Sequence, residues 1–259
     1  MSSHPGFFIF VNSRDADFGT SARFTIDFQS SGIPFNDGEI SIALDYAIFP
    51  NLIYPIRSGR NTFVFNEGTV DINAVIPEGN YNSSNFLTTL KSVMDSASTA
   101  GQTYTVAISS ITNKLTITSS AGTFSLKFAS SSSSEDMWKI MGFNYLQNTS
   151  LNSSQTGTMP VRLDGDEFYA LTLENLGNDN MTSSFNIRGL MDIIPMSGNW
   201  GDVIYYKPNE VNNLNLGQLS QLKIMQIRIC DKDGYDIPIK DNCEITLKFR
   251  VMQTQMMGQ

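Results

Sequence analysis

Side chains able to do chemistry are few in this sequence, and their spacing does not assemble a reaction centre. The single histidine, His4, stands beside Pro5 near the N-terminus, and the two cysteines are Cys230 and Cys243. A Ser–His–Asp triad or a Cys–His dyad needs an imidazole held in place by a third group, and His4 is poorly placed to be held. Zinc centres draw on several Cys and His ligands, and this chain has two Cys and one His in all. No phosphate-cradling glycine loop lies between a strand and a helix.

Carboxylates are the remaining option. Asp164-Gly165-Asp166-Glu167 and the run Cys230–Asp236 form short acidic loops. The second spaces Asp231, Asp233 and Asp236 as a calcium loop does, but it lacks the closing glutamate and is flanked by strands rather than helices. Asp-Gly beside a strand reads as a turn. Cys230 and Cys243 fall in strand-like segments and read as buried thiols rather than a disulfide. The residues therefore point to no catalytic group, no cofactor and no metal.

Charge excludes a further class. The net charge is −8, and 17 basic residues are scattered singly. Binding to a phosphate backbone needs clustered Lys and Arg, so direct contact with nucleic acid is not expected. Charged residues make up 16% of the chain, below the roughly 25% of ordinary soluble domains, so Ser, Thr, Asn and Gly must build much of the surface. No apolar run approaches the ~18 residues of a membrane span. The N-terminal FFIFV is too short for a secretory core, which leaves the sequons at Asn82, Asn148, Asn152 and Asn180 without an expected role.

The elements that would position these side chains are mostly strands. Residues 7–13, 23–28, 39–50, 62–67 and 69–77 alternate apolar and polar positions, the last two joined by a turn at Gly68. The period changes over 83–97, where Phe86, Leu87, Leu90, Val93, Met94 and Ala97 fall at helical spacing behind Asn82 or Ser83 as cap. Strands at 104–109, 114–120 and 123–129 follow, then a short helix over 135–141 with Ser134 as cap and Gly142 as stop. Residues 145–158 read as a polar loop. Strands resume at 167–176, 184–195, 202–208, 222–231 and 243–253.

About eight strands around a helix-bearing insert predict a mainly β fold, a single jelly-roll β-sandwich with a small α+β insert of helix, three-stranded meander and helix. The jelly roll is expected over 1–76 and 159–259, and the insert with its trailing polar loop over 77–158. Pro77, Gly79, Asn80 and Tyr81 turn the chain into the first helix. Trp138, Gly142 and Phe143 close the second. Trp200, in a loop after Ser197-Gly198-Asn199, is a candidate exposed contact.

Several blocks resemble one family in order. They are Asn12-Ser13-Arg14-Asp15 with Gly19-Thr20-Ser21 and Phe24-Thr25-Ile26, then Phe49-Pro50-Asn51 with Tyr54 and Asn61-Thr62-Phe63. Ile76-Pro77-Glu78-Gly79-Asn80-Tyr81, Thr112-Asn113-Lys114-Leu115-Thr116-Ile117 and Trp138-Lys139-Ile140-Met141-Gly142-Phe143 follow. Together they resemble the penton (vertex) minor capsid proteins of virophages and polinton-like viruses, over about residues 12–143. The resemblance implies a non-enzymatic virion protein, made in the host cytoplasm or a virus factory. Five copies would close an icosahedral vertex and touch the major capsid protein. The insert would face outward, toward a host receptor or a fibre.

A different class is also compatible with the residues. In a receptor- or carbohydrate-binding β-sandwich of a viral spike or fibre, Trp200, Tyr205 and Tyr206 would line a shallow site.

Overall fold

Successive side chains on a strand point to opposite faces, so alternating apolar residues commit a segment to a sheet with one buried side. A computed structural model describes residues 6–20, 22–29, 32–35, 39–134, 136–146, 150–176, 187, 189–239 and 243–254. Its first strands are β1 (Phe7–Asn12), β2 (Phe18–Gly19), β3 (Arg23–Asp27), β4 (Ile33–Pro34) and β5 (Glu39–Pro50). Next come β6 (Thr62–Asn66), β7 (Asp71–Val75), α1 (Ser83–Ala97), β8 (Tyr104–Ile108), β9 (Lys114–Ser119) and β10 (Ser125–Leu126). The short helix α2 (Met137–Met141) and β11 (Ser154–Pro160) follow. The C-terminal strands are β12 (Phe168–Leu173), β13 (Leu190–Pro195), β14 (Val203–Tyr206) and β15 (Leu214–Gly217). They end with β16 (Gln221–Leu222), β17 (Ile224–Cys230) and β18 (Thr246–Thr254).

The chain divides into two units, residues 1–53 with 166–259, and residues 54–165. In the first, one sheet runs β1-β18-β5-β14, with β15 also on β5, and the other runs β13-β12-β17-β3-β2. Setting aside β2, β4, β15 and β16, the first strand pairs with the last, and each sheet draws strands from both halves of the chain. That interleaving is the jelly-roll connectivity, a sandwich of two Greek keys. The inward residues of both sheets, among them Ile9, Phe24, Ile42, Leu171, Ile227 and Phe249, form one core. The mainly β jelly-roll class read from the sequence is the class observed.

The second unit has its own core, in which Phe63, Phe65, Phe86, Leu90, Tyr104, Phe124 and Phe143 are buried. It holds two sheets, β10-β6-β7 and β11-β9-β8, with α1 against β7 and β8. Its rings pack edge to face, Tyr104 lying 5.9 Å from Phe65 and 5.2 Å from Phe124. Asn82 caps α1 through its side-chain oxygen, which accepts the Asn85 amide at 2.8 Å.

Several expectations are corrected here. The hairpin β6–β7, assigned from the sequence to the jelly roll, belongs to the second unit, because Phe63, Phe65, Ile72 and Ala74 bury into that unit's core. The three expected meander strands divide between sheets. β8 and β9 take β11 as their third strand, while β10 pairs with β6. β11 itself lies partly inside the segment read as a polar loop. It is an edge strand whose inward positions are Gln155 and Gly157, so it offers no apolar alternation to detect. Ser134 does not cap α2. Its hydroxyl accepts the amides of Asn61 and Thr62, and Asp136 occupies the N-cap with its carboxylate turned to Lys139 and Arg60 rather than to the helix amides. Among the described residues, no helix is long and apolar enough to cross a membrane.

Candidate contact surface

Asp231 and Asp236 of the second acidic run are engaged in holding a turn. Asp231 is buried, and its Oδ1 accepts the amides of Asp233 and Tyr235, both at 3.0 Å. Asp236 pairs with the Arg228 guanidinium, which also donates to the Gly234 carbonyl. The acidic loop is thus a turn whose carboxylates cap backbone amides or meet an arginine. His4, Asn148 and Asn180 lie outside the described residues. The cysteines are free thiols buried in the first unit, and burial pushes the Cys230 thiol up to about 11. Accordingly, the folded protein at pH 8 is expected to leave both thiols unlabelled by a thiol-specific reagent, and to take up two equivalents only once denatured. Prompt labelling of the native chain would show that these strands open.

The residues singled out at the start of the insert gather around the N-terminus of α1. The Tyr81 hydroxyl donates to the Pro77 carbonyl at 2.7 Å, and the ring meets Phe86 edge-on. Gly79 bridges Ile56, its amide donating at 2.9 Å. Its φ is not positive; a Cβ there would lie 3.0 Å from the Tyr81 ring, so lack of bulk matters more than turning freedom. Asn80 is exposed beside it. At the other helix, Gly142 ends α2 in the left-handed region with φ 74°. The Phe143 amide then donates back to the Trp138 carbonyl at 2.8 Å, and the Phe143 ring stacks on Phe128. The half-buried Trp138 ring is flanked by Lys139 and Tyr145. All of these residues belong to the second unit and shape it.

The three aromatics of the glycan-site reading do not converge. Tyr205 is exposed, while Tyr206, the next residue on the strand, turns to the core and donates its hydroxyl to Asp192 at 3.2 Å. Trp200 is 41% exposed in the loop before β14.

A surface that sequence reading missed lies on the outer face of the β1-β18-β5-β14 sheet. Phe8 and Phe10 point outward from β1 opposite Arg250 and Lys248 of β18. The Lys248 ammonium sits 3.8 Å from the Phe8 ring centroid and 5.4 Å from both Phe10 and Tyr46. Tyr46 in turn lies 5.7 Å from Tyr205. An aromatic band thus crosses the whole sheet. Asp45 beneath it receives Lys248 at 2.8 Å and Arg250 at 2.9 Å. The Lys248 hydrogen bond, opposed by burial and helped by Arg250, holds the Asp45 carboxyl below its ordinary value. One signal of this face was available: the run Phe7–Val11 is apolar on both sides of its alternation, which a strand buried on one face does not need.

The opposite sheet presents a different outer face. Arg23 grips Glu174 in a two-pronged pair at 2.9 and 3.0 Å, and Arg228 adds a second bridge beside it. Charge pairing there satisfies itself within the chain, whereas the aromatic band leaves large rings in water.

Strand connectivity defines this chain as a jelly-roll β-sandwich carrying an α+β insert between the third and fourth sandwich strands. No family profile matches the chain, and no curated protein matches it in sequence. Among solved structures it is similar to the selenomethionine-labelled mavirus penton protein. That likeness has 12% sequence identity and a TM-score of 0.48, and covers 96% of this chain and 100% of the other.

Proposed function

We propose that this chain is a structural protein of an icosahedral DNA virus, forming the five-fold vertices as a homopentamer. The observation that carries the reading is a jelly roll whose outer sheet face is given to exposed aromatics and paired cations rather than to a cleft. Such a face suits repeated packing against neighbouring subunits, because aromatic rings supply large contact area while few charges must be stripped of water. The ordered motifs over residues 12–143 and the insert at 54–165 support the same reading. In the virion the jelly roll meets its own copies and the major capsid protein, and the insert is the part offered to a host receptor or fibre. Its work is assembly, without a catalytic step.

The test is the mass of the purified full chain by native mass spectrometry. A species near five times the 28.7 kDa protomer is expected. A stable trimer would overturn the vertex reading and favour the spike or fibre component. A chain that is monomeric in solution moves the decision to electron microscopy of particles, where density for it away from the five-fold axes rejects the proposal.

A further inference from the structure

We draw no further inference here: the strongest candidate, the aromatic band of Phe8, Phe10, Tyr46 and Tyr205 on the outer face of the β1-β18-β5-β14 sheet, carries none because nothing in the structure shows what covers it.

Discussion

Gly142→Ala is expected to destabilise the 54–165 unit by about 3 kcal/mol or more, enough to unfold much of it at 37 °C. The glycine sits at φ 74°, where a Cβ costs roughly 1–2 kcal/mol. The added carbon would also lie 2.3 Å from the Met159 carbonyl oxygen and 2.9 Å from that of Pro160, both backbone atoms with no rotamer to move. Gly157 approaches from the same strand, its own Cβ position 2.6 Å from the Gly142 carbonyl. That carbonyl accepts the Met159 amide at 2.8 Å, so the junction of α2 with β11 cannot widen without losing the bond. The chain has two tryptophans, Trp138 in this unit and Trp200 in the jelly roll. In a Trp200→Phe background, urea unfolding followed by fluorescence therefore reports on Trp138. A midpoint within error of the parent would show that α2 and β11 separate easily.

Glu67→Ala is expected to cost the same unit about 4 kcal/mol, because it strands several donors at once. Glu67 lies in the β6–β7 turn and accepts the hydroxyls of Ser98 at 2.6 Å and Tyr104 at 2.8 Å. It also accepts the amides of Thr99 at 3.0 Å and Ala100 at 2.9 Å. These groups follow the C-terminus of α1, so one carboxylate ties hairpin, helix end and β8 together. Glu67→Gln, which keeps the shape but offers one acceptor oxygen, should lose roughly half as much.

A pH dependence accompanies it. Burial by itself would raise the Glu67 carboxyl, but the Ser98 and Tyr104 hydroxyls and the two amides outweigh it and hold the group below its ordinary value. The unfolded chain binds that proton more readily. The stabilisation is therefore full above the ordinary carboxylate range and is lost as pH falls through the folded value. Melting of the 54–165 unit from pH 7 down to pH 3 should fall more steeply for the parent than for Glu67→Gln. Equal slopes would remove Glu67 from the acid response.

Glu67 also explains why the hairpin was misplaced in sequence reading. Residues 62–75 alternate as any sandwich strand does, and the unit they join is decided by distant contacts, with Ser98–Ala100 and Tyr104 through Glu67 and with β10 at Ser125 and Leu126. Nothing local distinguishes Phe63 and Phe65, buried in the second unit, from Phe24 or Phe49, buried in the first. β11 failed to register for the opposite reason. Its hydroxyls pair across the strands, Thr156 with Thr116 and Ser154 with Thr118, so its stability comes from backbone and hydroxyl bonds without an apolar stripe.

What the sequence determined by itself were the features set by local chemistry. The alternation of Phe24 and Ile26, or of Ile40, Ile42 and Leu44, commits those segments to strands. The spacing of Phe86, Leu90 and Met94 behind Asn82 commits a helix and its start. The scarcity of His and Cys disfavours the common catalytic and zinc constellations whatever the fold. Tertiary structure alone decided the partners: that β1 pairs with β18, that the insert spans 54–165, and that Phe8, Lys248, Tyr46 and Tyr205 form one band. Burial on a strand is a period-two signal that names a face but never the neighbour. The band crosses four strands separated by up to about two hundred and forty residues, and only closure of the jelly roll places them side by side.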